Sequence, residues 1–143
     1  EKKGERCMYQ PKYTGLEPDV YNRCVAVASA YYTLLRRRKE MEEEIIYQNN
    51  GPNFQPAPSQ PGNPTANKAE RLILCLQEND RKIHAVEQAW HAMVDETARQ
   101  VIRYNLFEGI PLKSVNLPMS ERSMKRCRKL FLTRLAQELH EII

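Results

Sequence analysis

Residues 114–143, "SVNLPMSERSMKRCRKLFLTRLAQELHEII", decide the fold. Pro118 stops one helix, Ser120 is a favoured N-cap residue, and a last helix is predicted from Glu121 to near the C-terminus. At about 100° per residue, one side of this helix is apolar and the other is cationic. The apolar side holds Met124, Cys127, Phe131, Leu135, Leu139 and Ile142, and the cationic side holds Arg122, Lys125, Arg126, Lys129 and Thr133.

Positive charge is concentrated in the C-terminal third of the 143-residue chain, whose formal net charge is +4. Residues 1–95 hold 13 basic and 13 acidic side chains, whereas residues 96–143 hold 9 basic and 5 acidic ones. A basic segment on a neutral protein indicates a polyanion partner, with a merely solvated surface as the alternative. Because a solvated helix usually mixes signs and only Glu121 offsets this cluster before Glu138, we favour a nucleic-acid-binding surface.

Composition narrows the class of protein. With 41% apolar and 28% charged residues, the chain is typical of a soluble globular protein. No apolar run approaches the ~20 residues that cross a bilayer, and the first residues lack the apolar core of a signal peptide, so no membrane partner and a cytoplasmic location are expected. The four cysteines form no Cys-x-x-Cys pair, which predicts reduced, mostly buried thiols.

Residues 19–94 are predicted to form a long helical hairpin after an irregular lead-in at 1–18. Asp19 is a plausible N-cap for a helix to about residue 48, and the proline-rich segment 49–65 cannot continue that helix. The apolar seam of this first helix, interrupted at Arg38, is Val20, Cys24, Val27, Tyr31, Leu34, Met41 and Ile45.

The second long helix is predicted to start at Asn67, with Glu70 completing a capping box. Its seam is Leu72, Leu76, Ile83, Val86, Trp90 and Met93, interrupted at Asn79. Two such helices most simply fold back as an antiparallel pair, which would bring Arg38 near Asn79 and Glu78. An intermolecular coiled coil is the competing arrangement, so a homodimer through the long helices stays open.

Residues 95–143 are predicted to form a three-helix unit, which makes the chain all-α. Asp95 offers an N-cap for a helix that ends at Gly109, and Pro111 suits the first turn of a very short helix to 115 or 116. The buried side of the first of these helices is predicted to be Ala98, Val101, Ile102 and Leu106. Short helices, a tight apolar turn at Leu117 and Met119, and a basic last helix match the helix-turn-helix design.

The last helix would then enter the DNA major groove by its N-terminal half. Arginine can bond guanine through two donors, so Arg122 and Arg126 are the candidates for base readout, and Ser123 could serve bases or phosphates. Lysines suit phosphates, and the helix dipole favours phosphate near Ser120. The predicted phosphate contacts are Lys113, Ser120, Arg128 and Lys129, with Lys125 also suited to phosphate by its residue type.

Other chemical sites are less well supported by the sequence. Asp80, His84, Glu87 and His91 share a helix face, but they flank the apolar seam and are better explained as a polar stripe than as metal ligands. "RRRKEMEEE", residues 36–44, is read as an ion-paired helix surface. No phosphate loop, nucleophile elbow or catalytic carboxylate pair is present, so we expect neither an enzyme nor a cofactor.

The segment "TARQVIRYNLFEGIPLKSVNLPMSERSMKRCRKLFLTRLAQEL", residues 97–139, resembles the C-terminal helix-turn-helix of phage late-gene transcriptional activators of the RinA-like and ArpU-like group. That element is itself similar to region four of bacterial sigma factors. The resemblance rests on "RYNLFEG", "LPMSERSMKR" and "LTRLAQEL", and more loosely on the two long helices with their crossing. The chain departs from the pattern in one respect. Val115 and Ser120 are closer together in sequence than the corresponding residues of the pattern, so the support helix is shortened.

The resemblance implies a non-enzymatic regulator that binds double-stranded promoter DNA in a bacterial host, with RNA polymerase as a possible second partner. It implies that Arg122, Ser123, Lys125 and Arg126 occupy the base-facing positions. The alternative from another class is a structural or assembly protein, such as a small phage terminase component or a helical scaffold, whose basic end docks on DNA. The sequence does not define the target site, the sign of regulation or the oligomeric state.

Overall fold

A computed structural model describes residues 15–50 and 64–141, and within these residues the chain is helical with no strand. The predicted all-α class is therefore confirmed. The helices are α1 (Pro18–Ser29), α2 (Tyr31–Asn50), α3 (Pro64–His91), α4 (Glu96–Ile102) and α5 (Glu121–Glu138). A π-helical segment, Arg103–Phe107, continues α4, and a 3-10 turn spans Leu112–Ser114. None of the helices searched in these residues is long and apolar enough to span a membrane.

The first predicted helix is two helices, because α1 ends at Ser29 and α2 begins at Tyr31. The N–H of Ala30 donates to the carbonyls of both Ala26 and Val27, at 3.1 and 3.2 Å, a tightened turn of the kind that closes a helix. Neither glycine nor proline marks this break. The prediction of one continuous helix from 19 to 48 is therefore wrong at residue 30.

The second long helix begins at Pro64, three residues before the predicted cap at Asn67. Proline suits the first position of a helix, because its fixed backbone angle matches the helix and it has no N–H that would need a partner. Asn67 therefore lies inside α3, and the capping-box prediction is wrong. Most of the predicted connection, together with the lead-in before residue 15, lies outside the described residues.

The chain divides into two compact units. The first unit joins the part of the chain up to Tyr31 with the part from His84 onward, and the second unit is Tyr32–Ile83. The predicted boundary between residues 94 and 95 differs from this division. Helix α1 and the last turns of α3 belong to the same unit as α4 and α5, because α1 packs against α5 and against the π-helical segment.

In the second unit, the polar interruption of the α3 seam is satisfied by main chain. Asn79 is 6% exposed, and its side-chain amide donates to the Leu34 carbonyl of α2 at 2.8 Å. Glu78 pairs with Arg81 at 2.9 Å. Arg38 is half-buried, and in the described residues it forms no hydrogen bond or ion pair with Asn79 or Glu78. Asn79 instead bonds the main chain one helical turn before Arg38.

The core of the first unit centres on Phe107. Its ring lies 4.7 Å from that of Tyr31, 5.4 Å from Trp90 and 6.3 Å from Phe131, measured between centroids. The indole N–H of Trp90 donates to the Arg99 carbonyl at 2.9 Å. Aromatic pairs at these distances and tilts add to the free energy gained by burial. Trp90 and Tyr31 therefore pack as the sequence predicts.

Phe107 lies at the end of the π-helical segment. The N–H of Glu108 donates to the Arg103 carbonyl at 2.9 Å, a bond five residues back along the chain. Leu106 and Phe107, which both lie in this widened turn, are buried. Gly109 follows with φ +76°, in the left-handed region that glycine adopts without strain, which confirms it as the helix terminator.

Truncating Phe107 should therefore destabilise the first unit. We expect Phe107→Ala to lower the free energy of unfolding by about 3–5 kcal/mol, through lost apolar burial and the cavity that remains. Leu130→Ala is the matched control: Leu130 is 61% exposed, and its truncation should change stability by no more than about 0.5 kcal/mol. Urea unfolding followed by circular dichroism measures both. Equal losses in the two variants would contradict the central role of Phe107.

Candidate nucleic-acid interface

Helix α5 starts where the sequence predicts. Ser120 has an extended backbone, with φ −70° and ψ 155°, and its hydroxyl accepts from the Ser123 N–H at 3.2 Å. The Ser123 hydroxyl bonds that of Ser120 at 3.1 Å. Ser120 is therefore confirmed as the N-cap, and the remaining N–H groups of the first turn point out of this end of the helix.

The predicted apolar side of α5 is buried. Met124, Phe131, Leu135 and Leu139 are at most 7% exposed, and Cys127 is half-buried. Leu132 and Ala136, which the sequence analysis did not assign to this side, are also fully buried. Ile142 lies outside the described residues. Because this side is fixed against the rest of the unit, the rotation of α5 about its own axis is set.

The opposite side of α5 carries Arg122, Lys125, Arg126 and Lys129, all exposed, and we call these four residues the cationic face. Lys125 lies 3.6 Å from Glu121, the one acidic residue of the first turn. Among residues 15–50 and 64–141, no acidic side chain forms an ion pair with the other three members. Their charge is therefore left uncompensated at the helix surface.

Three other arginines in this part of the chain are neutralised locally. Arg99 pairs with Glu96 at 2.7 Å, Arg103 with Glu108 at 3.1 Å, and Arg134 with Glu138 at 2.9 Å. The cationic face therefore holds three of the basic residues of 96–141 that have no acidic partner in the described residues, the others being Lys113 and Arg128.

Arg128, predicted to bind phosphate, is instead part of the packing. It is half-buried, its Nε donates to the Asn105 side-chain oxygen at 3.0 Å, and its Nη1 donates to the Tyr21 hydroxyl at 2.6 Å. Its guanidinium carbon also lies 5.7 Å from the centre of the Tyr21 ring. Arg128 therefore links α1, the π-helical segment and α5, and it does not belong to the cationic face.

The segment before α5 is shorter than predicted. The short helix expected from Pro111 to 115 or 116 is a single 3-10 turn, in which Ser114 N–H donates to the Pro111 carbonyl at 2.9 Å. Lys113 is exposed on this turn, consistent with its predicted role. A support helix of ordinary length is thus replaced by one tight turn.

The turn between this segment and α5 is apolar, as the sequence predicts. Val101, Val115 and Met124 form a buried cluster, and Leu117 and Met119 pack against it. The Met119 and Cys127 sulfur atoms lie 3.8 Å apart. These contacts hold the N-terminal end of α5, and with it the base of the cationic face, against α4.

One exposed apolar residue on this side of α5 was missed by the sequence analysis. Leu130 is 61% exposed and lies one helical turn after Arg126. The spacing of four residues was the available signal. An exposed leucine beside basic side chains is suited to contact the methyl group of thymine in a major groove.

Two of the three thiols that the structure describes have raised pKa values. Burial raises the pKa of Cys24 to about 11, and burial, then the nearby charge of Asp95, raises the pKa of Cys127. Cys75 is exposed, contrary to the expectation of mostly buried thiols, and Cys7 lies outside the described residues. Within residues 15–50 and 64–141, no group of three His, Cys, Asp or Glu residues is arranged to hold a metal ion.

The polar stripe on α3 likewise serves packing where the structure resolves a contact. Glu87 accepts a hydrogen bond from the Tyr31 hydroxyl at 2.6 Å, while His84 and His91 are exposed. Tyr31 thus contributes both its ring and its hydroxyl to the first unit. Tyr32, the next residue along the chain, is 45% exposed.

Comparison with known proteins adds no relative: no family model matches the chain, and neither curated proteins nor solved structures give a significant match. Function is therefore inferred from the geometry and charge of α5.

The same substitution should lower the stability much more at Arg128 than at its neighbour Lys129. Arg128→Met removes the two hydrogen bonds that the half-buried guanidinium donates to Asn105 and Tyr21. We therefore expect a loss of about 1.5–3 kcal/mol in unfolding free energy. Lys129→Met changes an exposed side chain and should alter stability by no more than about 0.5 kcal/mol. Urea denaturation provides the comparison, and a smaller loss for Arg128→Met than for Lys129→Met would exclude the packing role.

The thiols should differ in reactivity. The raised pKa keeps Cys24 as a neutral thiol at pH 8. The stability that burial of this neutral thiol contributes is fully present below the ordinary cysteine pKa of 9.0, and it is lost as the pH rises through about 11. In a Cys7→Ser variant, alkylation at pH 8 read by mass spectrometry should modify Cys75 first and Cys24 only after unfolding in urea. Equal rates for Cys24 and Cys75 in the native protein would contradict the burial of Cys24.

Proposed function

We propose that this chain is a sequence-specific double-stranded DNA-binding regulator that reads the major groove with α5. The observation that carries the proposal is the cationic face: Arg122, Arg126 and Lys129 are exposed and lack acidic partners in the described residues, on a helix whose other side is buried. A basic helical face of this kind is the electrostatic footprint of a nucleic-acid-binding protein.

The chemistry of the face suits a groove better than an extended anionic surface. An α-helix fits the major groove of B-form DNA, and arginine can donate two hydrogen bonds to the O6 and N7 atoms of guanine. Arg122 and Arg126, one turn apart, are assigned to base readout. Ser123 and Lys125 are assigned to the flanking base positions that the resemblance implies. Leu130 adds an apolar contact further along the same helix.

Phosphate contacts would surround this readout. Lys113 on the 3-10 turn and Lys129 on α5 are exposed, and Ser120 caps a helix N-terminus that favours anions. Arg128 is left out, because it is half-buried and two of its N–H donors are engaged by Asn105 and Tyr21. The phosphate set of the proposal is thus Lys113, Ser120 and Lys129.

In this proposal, residues 95–141 act as a helix-turn-helix unit, with a single 3-10 turn in place of a longer support helix, and α2 and α3 form a long hairpin. The resemblance to phage late-gene activators assigns the protein to transcription control in a bacterial cytoplasm, as an activator that works beside RNA polymerase. The short turn is expected to change the angle at which α5 enters the groove.

The second candidate is an assembly protein, such as a small terminase component or scaffold, that docks on DNA through charge alone. The short support turn favours this second candidate. Phosphate contacts need less rigid placement of α5 than base readout does, so a single turn before the helix would be sufficient support for them. In that case the cationic face would bind all sequences with similar affinity.

Selection of bound sequences from a random duplex pool separates the two candidates. Base readout predicts enrichment of a defined site, and on that site Arg122→Ala and Arg126→Ala should each cost about 1–3 kcal/mol, with a much smaller loss on random DNA. Arg134→Ala is the control, since Arg134 lies on the same helix but is paired with Glu138.

The opposite outcomes are equally clear. No enrichment, or equal losses on selected and random duplexes, would reject base readout and favour docking. Affinity should also fall steeply with salt, in proportion to the number of phosphates neutralised, and Lys129→Ala should reduce the slope of log affinity against log salt by about 1. A salt-independent affinity would reject DNA as the partner of the cationic face.

A further inference from the structure

The outward side of α2 carries a pattern that DNA binding does not explain. One side of α2 is turned inward: Leu34 is 5% exposed, and Met41 and Ile45 are half-buried. At about 100° per residue, the opposite side presents an exposed row that we call the outward stripe. The outward stripe consists of Tyr32, Arg36, Lys39, Glu43 and Tyr47.

Aromatic rings stand at both ends of the outward stripe. Tyr32 is 45% exposed and Tyr47 is 63% exposed, and Ile46 beside Tyr47 is 60% exposed. Together with the charges between them, these side chains form a row of mixed apolar and ionic groups along four turns of helix. Tyrosine is enriched at protein interfaces because it combines a large apolar ring with a polar tip.

The charges between the tyrosines run in a block order. In "RRRKEMEEE", residues 36–44, four basic residues precede all the acidic ones. Within one helix this order is the weaker orientation for ion pairs. The single such pair in this block within the described residues, Arg36 with Glu40, is 4.0 Å long, and its side chains are 67% and 64% exposed. The charges of this block therefore form little ion pairing within one chain.

We propose that the outward stripe binds the outward stripe of a second copy of this chain, antiparallel, about a two-fold axis midway between residues 39 and 40. Under this symmetry Arg36 faces Glu43 of the second copy, and Tyr32 faces Tyr47 of the second copy. Each contact occurs twice, as it must in an interface that joins identical surfaces.

Charge complementarity selects both the occupant and its orientation. A block of basic residues followed by a block of acidic residues is complementary to itself only when the second helix runs in the opposite direction. A parallel pair would place Arg36 against Arg36 and Glu43 against Glu43, which opposes association. The same reversal brings the two exposed tyrosines together, so one symmetry operation satisfies the ionic and the apolar parts of the stripe.

This inference does not rest on DNA binding, since it uses only residues of α2. Sedimentation equilibrium of the full chain without DNA should give a dimer, with twice the 16.7 kDa chain mass, and its association should weaken with added salt. Arg36→Glu and Glu43→Arg should each weaken self-association about tenfold or more, because one reversal turns two attractive contacts into two repulsive ones.

Mixing provides the decisive arm. In an equimolar mixture of the Arg36→Glu and Glu43→Arg chains, both contact points of a mixed dimer again join opposite charges, so the dimer should return. The doubly reversed chain, Arg36→Glu with Glu43→Arg, should also dimerise. A substitution that merely damaged the helix of one chain would not be rescued by mixing.

Arg37→Glu is the matched control, because it makes the same charge change one residue away and off the outward stripe. It should weaken association much less than Arg36→Glu. A chain that is monomeric at every concentration would overturn the proposal. So would a dimer that ignores Arg36→Glu and Glu43→Arg, which would assign the interface to another surface, or a mixture that remains dissociated.

Discussion

The position of the cationic face depends on the ring of Phe107. Tyr31, Trp90 and Phe131 all contact this ring, so it joins the start of α2, the last turns of α3 and the middle of α5. Phe131 and Arg126 are five residues apart and therefore point to nearly opposite sides of α5. Fixing Phe131 against Phe107 thus fixes Arg126 outward. The aromatic cluster sets not only stability but also which side of the helix meets solvent.

Two further contacts prevent α5 from rolling or sliding on this ring. Arg128 bonds Asn105 and Tyr21 at the middle of the helix, and Met119 and Met124 hold its N-terminal end in the cluster around Val115. A surface that reads DNA bases needs rigid placement, because a good hydrogen-bonded pair tolerates little misalignment. Support of this kind holds the cationic face in one orientation, which the proposed base readout would require.

Periodicity and caps predicted most of α5, and the reasons are local. Ser120 stops one segment and starts the next through its own hydroxyl, Gly109 adopts a left-handed backbone that few other residues tolerate, and the 3.6-residue repeat separates Phe131 from Arg126. Arg128 could also have been placed correctly. It lies two residues from Arg126, about 200° around the helix, and so on the buried side. The position of Arg128 on the helix, and not its residue type, determines that it packs inward.

The errors in the fold prediction share a different cause, which is tertiary packing. No glycine or proline marks the break at Ala30, and its bonds to Ala26 and Val27 use ordinary main-chain groups. The π-helical turn at Arg103–Phe107 ends at Phe107, whose ring packs on Tyr31 and Phe131, and contacts with residues so distant in sequence give no local signal for such a turn. Asn79 was recognised as a polar interruption, but its partner was the Leu34 carbonyl, and main-chain acceptors carry no sequence signal.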